Sequence, residues 1–512
     1  MAEAAAVLRP QALGAQQVIT VVNPATLQTI GQVPVTTTEG VRAAVEQARQ
    51  AQQEWARLPL AERGRALRRY RDAIIDEKDR LADTIAAETG RPRGDVYVSE
   101  LLQVCDVIGY WGKHGAKMLA EERLRPHLLK NKKVYVSYHP FGVVGIIGPW
   151  NFPFLLTIGE AIPALMAGNA VVIKPSEVTP FSALLGAELA RTAGLPAGLV
   201  QVRPGYGDTG GALVDCADMI CFTGSVATGK KVAERAAKRL IPVTLELGGK
   251  DPMLVLRDAH LERAANGCVW GALFNAGQVC MSVERVYVEA PVYDAFVALV
   301  TEKVKRLRQG MPHQEVEVGA MTFPPQVETV ERHVAEAVRK GARLLTGGRR
   351  NPQLPGLFYE PTVLADVAQD MSVMRDETFG PVIPIMKVRD AEEGLRLAND
   401  SRYGLTASVW TRDRERARVV ARRLEAGSVC VNDCLVNFAV TEAPMGGVKE
   451  SGLGARHGVQ GIRKFCRQQT VVIDRVGSKS EVNWFPTSAR KVRLFRRLLN
   501  LYHSGWRNKL RA

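Results

Sequence analysis

Short apolar segments recur roughly every 20 to 30 residues through the middle of the chain, and this spacing constrains the fold more than any other feature. Helix-like segments lie between them, at 182–193 and 226–240. Alternating strands and helices at this spacing predict βαβ units and a doubly wound parallel sheet. The predicted strands are Val143–Ile147, Ala170–Ile173, Leu199–Val202, Met219–Phe222 and Val243–Leu247.

A second α/β block follows Asp251 with the same alternation, and helix-like segments at 293–308, 391–400 and 413–425 separate its strands. We place the boundary between the two blocks near Gly248-Gly249. Two more apolar strands, Val134–Tyr138 and Thr470–Ile473, flank the blocks and are expected to pair with each other or with a partner subunit. The strands of the second block are Met253–Leu256, Val286–Glu289, Val382–Val388, Leu405–Trp410 and Ser428–Val431.

The composition excludes disorder and fibrous classes, because 46% of the 512 residues are hydrophobic and 24% are charged. The eight cysteines are scattered, and no pair of Cys-x-x-Cys motifs forms a zinc site. We therefore predict reduced thiols, no metal and a cytoplasmic location. The first residues lack a basic segment followed by a long apolar run, which argues against a cleaved signal peptide.

Two glycine-rich loops follow predicted strands. Gly205–Gly210 matches the dinucleotide pattern GxGxxG, but an ordinary strand-to-helix turn explains it as well. Gly224–Lys231 resembles a phosphate-binding loop, except that Lys231 replaces the hydroxyl residue that would hold magnesium. Ser225 is a good N-cap, so the helix start behind it either binds a phosphate or is simply capped.

Cys280 and Glu246 are the candidates for chemistry. Glu246 ends an apolar strand and precedes two glycines, a costly place for a carboxylate without a purpose. Cysteine is a strong nucleophile near neutral pH, and a carboxylate can activate water against a thioester. From these features alone, a buried structural cysteine is the commoner explanation for Cys280.

Seven motifs, taken together in chain order, favour a catalytic role for Cys280 instead. Together they closely resemble the aldehyde dehydrogenase superfamily, over a span from Asn23-Pro24 to Asp474. Val431-Asn432-Asp433, with Gly452-Leu453-Gly454 and His457-Gly458, looks more like the branch that acts on fatty (medium- and long-chain) and aromatic aldehydes. The seven motifs are Pro149-Trp150-Asn151-Phe152-Pro153, Lys174-Pro175-Ser176-Glu177, Phe222-Thr223-Gly224-Ser225, Glu246-Leu247-Gly248-Gly249-Lys250, Gly277-Gln278-Val279-Cys280, Glu377-Thr378-Phe379-Gly380-Pro381 and Pro444-Met445-Gly446-Gly447.

The resemblance implies a mechanism. Cys280 would attack the aldehyde carbon to give a thiohemiacetal, and the Asn151 amide with the Cys280 N–H would form the oxyanion hole. After oxidation to a thioester, Glu246 would activate the hydrolytic water, which favours the hydrolytic over the acylating branch. Two rivals remain: a cofactor-independent cysteine–glutamate esterase, and a non-catalytic scaffold of the same fold associated with membranes.

The resemblance also implies a nicotinamide cofactor. Lys174 and Glu177 would hold the adenosine ribose, and because a carboxylate repels a 2′-phosphate, NAD is expected in preference to NADP. The 224–229 loop would then take the pyrophosphate, leaving Gly205–Gly210 as a turn. The implied cofactor-binding residues are Trp150, Lys174, Glu177, Gly224, Ser225, Gly248, Glu377 and Phe379.

The residues that would line the aldehyde tunnel are mostly apolar. The loop 434–440 contains no Lys or Arg to pair with a second carboxylate, so short dicarboxylic semialdehydes are not expected. We expect medium- or long-chain aliphatic aldehydes first and aromatic aldehydes second. The tunnel residues are Phe152, Leu155, Leu156, Val279, Met281, Leu435 and Phe438.

The C-terminal segment carries about half of the net charge of +15: no acidic residue follows Glu481, and eight Lys and Arg do. A helix over 489–502 would place apolar residues on one half and Arg490, Arg493, Arg496 and Arg497 on the other. With Trp506 downstream, this pattern fits a peripheral contact of residues 489–512 with anionic lipid. Packing on the protein itself or on a partner subunit is the alternative, and nucleic-acid binding is not expected.

These features predict a Rossmann-like cofactor domain (1–118 and 141–247) and an α/β catalytic domain (248–447). Bridging strands at 119–140 and 464–478 are expected to support a homodimer or tetramer. The basic tail would occupy 479–512.

Overall fold

The computed structural model describes residues 11–13 and 16–503. Within this span the chain divides into two compact units. One comprises the residues up to Ala120 together with Tyr138–Arg467, and the other comprises Glu121–Ser137 and the chain from Gln468 onward. The predicted role of Trp506 and the residues around it lies outside the described residues.

The strands alternate with helices through most of the first unit, as the spacing of apolar segments predicts. In chain order the strands are β1 (Gln11–Leu13), β2 (Gln16–Val22), β3 (Thr29–Pro34), β4 (Glu122–Leu124), β5 (Lys132–Pro140), β6 (Val143–Ile147), β7 (Ala170–Lys174), β8 (Val200–Val202), β9 (Met219–Thr223), β10 (Val243–Glu246), β11 (Asp251–Val255), β12 (Val283–Glu289), β13 (Arg343–Thr346), β14 (Thr362–Ala365), β15 (Val382–Val388), β16 (Thr406–Trp410), β17 (Ser428–Val431), β18 (Gly452–Leu453) and β19 (Cys466–Asp474).

The helices follow the amphipathic segments of the sequence. In chain order they are α1 (Thr38–Arg57), α2 (Leu60–Asp76), α3 (Lys78–Thr89), α4 (Arg93–Val96), α5 (Leu102–Met118), α6 (Glu160–Met166), α7 (Phe181–Thr192), α8 (Gly207–Cys216), α9 (Val226–Ala237), α10 (Leu261–Leu273), α11 (Tyr293–Lys305), α12 (Pro324–Arg339), α13 (Ser372–Arg375), α14 (Ala391–Asn399), α15 (Arg414–Arg423), α16 (Gly458–Arg463) and α17 (Ala489–His503).

A six-stranded sheet in the order β18-β10-β9-β6-β7-β8 forms the centre of the first α/β block. Neighbouring strands from β10 to β8 run parallel, and the short β18 pairs antiparallel with β10. The residues of β6 and β7 are all buried, because helices cover both faces of a parallel sheet. The parallel α/β architecture predicted from the sequence is confirmed.

A second, seven-stranded sheet in the order β13-β14-β15-β12-β11-β16-β17 forms the other block. All neighbouring pairs are parallel except β13 with β14. The sequence did not predict β13 and β14. Strand β13 is half-exposed and β14 has only four residues, so neither gives a clear apolar run.

The second unit contains the C-terminal helix α17 and most of a three-stranded sheet in the order β19-β5-β4. Val471, Val472 and Ile473 of the edge strand β19 are exposed. Lys132 forms ion pairs with Asp474, at 2.8 Å, and with Glu481. Among the helices of 11–13 and 16–503, none combines the length and the apolar character required to span a membrane.

Candidate active site

Two cavities meet at Cys280. One has a volume of about 140 Å³ and is lined by both polar and apolar residues. The other has a volume of about 270 Å³ and is lined almost entirely by apolar side chains. Cys280 and Leu156 line both cavities, so the thiol lies where a polar compartment adjoins an apolar one.

The polar cavity lies at the carboxyl ends of β9 and β10, where parallel α/β sheets bind ligands. Thr223 ends β9, Glu246 ends β10, and both line the cavity together with Gly224 and Ser225. Ser225 caps α9, its side chain accepting a hydrogen bond from the N–H of Thr228. The other glycine loop, Gly205–Gly210, lies at the turn between β8 and α8.

Trp150, Gly248, Glu377 and Phe379 line the same cavity. The Trp150 and Phe379 rings meet edge to face, with centroids 5.3 Å apart. Glu377 accepts a hydrogen bond from the Gly249 N–H at 2.9 Å, and a Cβ at Gly248 would lie 2.6 Å from its carboxylate. Burial, and then the charge of Glu284, raises the pKa of Glu377 to about 8.

The backbone around Cys280 depends on glycine at two points. Gly277 has a φ of +74°, and a Cβ there would lie 2.1 Å from the Gly380 carbonyl oxygen. A Cβ on Gly249 would lie 2.2 Å from the carbonyl oxygen of Cys280. Side chains at these positions would overlap other backbone atoms, so both glycines allow the nucleophile segment to pack closely.

The protonation of Cys280 and Glu246 is set by burial and by their mutual charge. Burial, and then the carboxylate of Glu246, raises the pKa of the Cys280 thiol to about 12. Burial raises the pKa of Glu246 to about 7, against the lowering effect of Arg456. At neutral pH the cysteine is a thiol, and Glu246 is close to half ionised and able to accept a proton.

Asn151 is buried beside this pair and is held from several sides. Its side-chain amide donates a hydrogen bond to the Gln278 carbonyl oxygen at 2.9 Å. Its own carbonyl oxygen accepts from Asn275 at 3.1 Å and from the Arg91 guanidinium at 3.3 Å. Asn151 lines the polar cavity together with Cys280.

Lys174 and Glu177 lie at the end of β7, two strands away from β9 in the sheet order. Their side chains form an ion pair at 3.2 Å, with Lys174 buried and Glu177 partly exposed. The carboxylate therefore carries a neutralising cation at its side, which offsets its repulsion of a 2′-phosphate.

The apolar cavity contains all seven of the predicted tunnel residues. Among the described residues no Lys or Arg lines it, and Asp433 is its one charged side chain. Over 11–13 and 16–503, no cluster of three or more His, Cys, Asp and Glu side chains is suited to hold a metal ion. Two more lining residues, Val436 and Ala439, belong to the predicted tunnel loop 434–440. Sequence reasoning missed cavity residues on other elements, for which the local sequence carried no signal: Val98, Ser99, Gln103, Trp270 and Phe274.

The family model for the aldehyde dehydrogenase family matches residues 12–471. A Mycolicibacterium smegmatis protein named "Putative succinate-semialdehyde dehydrogenase (NADP(+))" is 43% identical over 87% of this chain and 86% of its own length. A 4,4'-diapolycopene aldehyde oxidase of a Methylomonas species is 38% identical over 95% of this chain and 91% of its own length.

Among solved structures, Mycobacterium tuberculosis aldehyde dehydrogenase complexed with NAD+ aligns with a TM-score of 0.86. Its identity is 34%, covering 92% of this chain and 97% of its own. The more similar mycobacterial relatives, at 41–43% identity, are named for NADP(+), which contradicts the expectation of NAD in preference to NADP. The Lys174–Glu177 ion pair gives the physical reason, since it offsets the carboxylate charge. On the match of the family model and these relatives, the chain belongs to the aldehyde dehydrogenase family of oxidoreductases.

Proposed function

We propose that this enzyme oxidises apolar aldehydes to carboxylic acids, with Cys280 as nucleophile and Glu246 as general base. The observation that carries the proposal is the position of Cys280 at the junction of the two cavities. An aldehyde whose tail fills the apolar cavity would present its carbonyl group to the thiol. The same carbonyl would then face the compartment that Glu246 and Asn151 line.

Several residues that line the polar cavity support a nicotinamide dinucleotide as the cofactor. The N-terminus of α9 faces it with Gly224 and Ser225, and backbone N–H groups at a helix start favour a pyrophosphate. Glu377 would hold ribose hydroxyls of the cofactor, and Phe379 would pack beside its nicotinamide ring. When bound, the cofactor supplies the oxidant by accepting a hydride from the substrate carbon.

The chain's own residues would carry the other steps. Glu246 accepts the thiol proton as the sulfur of Cys280 attacks the carbonyl carbon. The Asn151 amide and the Cys280 N–H stabilise the negative charge that develops on the oxygen. After oxidation leaves a thioester on Cys280 and Glu246 has released the thiol proton to solvent, Glu246 takes a proton from water, which attacks the acyl carbon. The acid is released as the sulfur of Cys280 leaves and takes up that proton.

The apolar lining supports aliphatic aldehydes of medium or long chain, with aromatic aldehydes second. Asp433 would repel a second carboxylate, and the described lining offers no cation to bind one. The aldehyde in the name of the Methylomonas relative is a polyene, in keeping with an apolar cavity. The mycobacterial relatives are named for succinate semialdehyde, so substrate choice has to be measured directly.

For the cofactor we propose NADP(+), after the names of the mycobacterial relatives. The buried ammonium of Lys174 is available to a 2′-phosphate if the partly exposed Glu177 turns away from it. This rearrangement breaks one ion pair and forms another. Comparing kcat/KM for NADP(+) and NAD(+) with one saturating aldehyde tests the assignment.

The decisive experiment follows formation of reduced cofactor from hexanal with wild type, Cys280→Ala and Glu246→Gln. We expect no turnover from Cys280→Ala with cofactor binding retained. Glu246→Gln should give a burst of one reduced cofactor per site followed by slow turnover, because the thioester forms but is hydrolysed slowly. Ester cleavage without cofactor would support the esterase alternative instead, and a folded, inactive wild type would support the scaffold.

We propose a homodimer or tetramer assembled through β19. Its exposed apolar residues, Val471, Val472 and Ile473, lie on the edge strand of the small sheet, where unpaired backbone groups can accept another strand. Light scattering after gel filtration should show a dimer or tetramer for wild type and a monomer for Val472→Lys. A monomeric wild type would contradict the proposal. The free cysteines support a reducing, cytoplasmic location.

We also propose that α17 binds the surface of anionic lipid membranes. Val492, Phe495 and Leu499 are exposed, and Arg493 and Arg496 belong to its cationic face. Each cation near such a surface contributes about 1 kcal/mol, so losing two should weaken binding about 30-fold.

Vesicles of phosphatidylcholine with and without 30 mol% phosphatidylglycerol provide the test. Wild type should sediment with the anionic vesicles only, and Arg493→Gln/Arg496→Gln should not. The control Arg414→Gln/Arg418→Gln removes two exposed cations from α15 and should bind as wild type does. Absence of wild-type binding would refute the proposal and favour packing on a subunit.

A further inference from the structure

A buried cluster of charged residues lies behind Glu246, and the mechanism above makes no use of it. Arg456 and Glu160 form an ion pair at 3.3 Å, and Lys464 contacts the other oxygen of Glu160 at 2.6 Å. All three side chains are nearly or fully buried, with at most 11% of each exposed. They line a small cavity of about 20 Å³, which shares Leu155 and Phe438 with the apolar cavity of the active site.

Arg456 connects this cluster to the active site. Its Nη1 contacts Glu160, its Nη2 donates to the Thr223 hydroxyl at the end of β9, and its Nε lies 3.9 Å from Glu246 Oε1. That oxygen of Glu246 is buried and has no hydrogen-bond partner among the described residues. The guanidinium is thus fixed on two sides and directs its third side toward the carboxylate.

We propose that Arg456 is a positioning residue that keeps the Glu246 carboxylate ionised and directed toward the thioester, while Glu160 sets how strongly it does so. The inference rests on the proposed role of Glu246 as general base. It adds a separate role for each residue of the cluster. Arg456 supplies the stabilising charge, and Glu160 and Lys464 hold that charge in place. Thr223 connects the guanidinium to the polar cavity through a hydrogen bond.

The charges that act on Glu246 have opposite signs. Arg456 and Lys464 lower its pKa, whereas burial and Glu160 raise it. The neighbouring His457 is neutral at pH 7, because burial and then Arg456 lower its pKa to about 4. Burial likewise raises the thiol pKa values of Cys221 and Cys280 to about 12, so neither thiol adds a charge at neutral pH.

Because these charges act on Glu246 with opposite signs, substitutions of Arg456 and Glu160 should shift its pKa in opposite directions. A purely structural role of Arg456 would not produce such opposite shifts. Arg456→Gln should raise the pKa of Glu246 by about 1 to 3 units, moving the acid limb of the kcat profile to higher pH. At pH 7 its kcat should fall at least about fivefold, with recovery toward higher pH. Glu160→Gln should move the same limb to lower pH, because it removes a like charge and leaves Arg456 free to approach Glu246.

Two further variants and a second measurement distinguish a change in the pKa of Glu246 from a loss of folded protein. Arg456→Lys should restore most of the acid limb, since it keeps the charge, and Lys464→Gln should shift it upward less than Arg456→Gln. Alkylation of Cys280 by iodoacetamide, followed by peptide mass mapping without aldehyde or cofactor, should be slower in Arg456→Gln at pH 8. This follows because Arg456 lowers the pKa of that thiol.

The outcomes separate the two proposals. A wild type that oxidises no aldehyde refutes the proposed function, whatever the alkylation rates show. An active wild type whose acid limb moves in the same direction, or not at all, in Arg456→Gln and Glu160→Gln overturns the role of Arg456 alone. Opposite shifts of the acid limb in these two variants confirm it.

Discussion

The apolar cavity predicts a strong preference for butanal over succinic semialdehyde, two aldehydes with the same four-carbon chain. The second differs from the first by a terminal carboxylate, which would enter a cavity whose one charged residue is Asp433. Removing a carboxylate from water without a partner costs several kcal/mol in real proteins. A penalty of about 3 kcal/mol corresponds to a ratio above 100 in kcat/KM.

The number of carbons in the aldehyde gives a second, independent prediction for kcat/KM. Each buried methylene contributes about 0.8 kcal/mol, so kcat/KM should rise about fourfold per carbon and about 60-fold from propanal to hexanal. The rise should level off once the chain fills the apolar cavity, which has a volume of about 270 Å³.

The assay is the initial rate of cofactor reduction at low aldehyde concentration, across the aldehyde series and with succinic semialdehyde. Val436→Arg places a cation among the cavity residues and should raise kcat/KM for succinic semialdehyde at least tenfold relative to butanal. Val436→Leu is the matched control and should leave the ratio unchanged. Equal or better use of succinic semialdehyde by the wild type would refute the reasoning from the cavity.

Three further predictions concern the polar side of the site. Since the pKa of Glu246 is about 7, kcat limited by hydrolysis should fall about tenfold per pH unit well below pH 7, as the base becomes protonated; a flat profile from pH 5 to 8 would contradict its role. Gly249→Val should destabilise the fold by about 1 to 3 kcal/mol in urea denaturation, because its Cβ would meet the Cys280 carbonyl oxygen, whereas Gly207→Ala, with open space around it, should cost little. Glu177→Gln should raise kcat/KM for NADP(+) relative to NAD(+) by removing a negative charge beside the 2′-phosphate site, and an unchanged ratio would count against that location.

The sequence was most informative for features that a short stretch of neighbouring residues defines. Buried parallel strands such as β6 and β15 have mostly apolar sequences, interrupted in β15 by Lys387, and their bounds could be predicted to the residue. Seven residues of the aldehyde cavity were also predictable, because they follow Asn151, flank Cys280 or belong to the loop 434–440.

Contacts between distant parts of the chain could not be predicted in the same way. Arg456 reaches Glu246 across more than 200 positions of sequence, and neither residue has a neighbour that reveals the other. The cofactor expectation failed for a related reason, since the charge of Glu177 was weighed without the position of the Lys174 ammonium. Charge effects depend on distances in the folded protein, which motif order does not supply.

The shared position of Cys280 in two cavities has a consequence for the order of events. An acyl chain attached to the sulfur would fill the apolar cavity and close that route to solvent. Water would then reach the acyl carbon from the compartment that Glu246 lines, which is also the proposed cofactor compartment. The product acid would leave through the apolar cavity. The oxidised and reduced cofactors would exchange through the polar cavity.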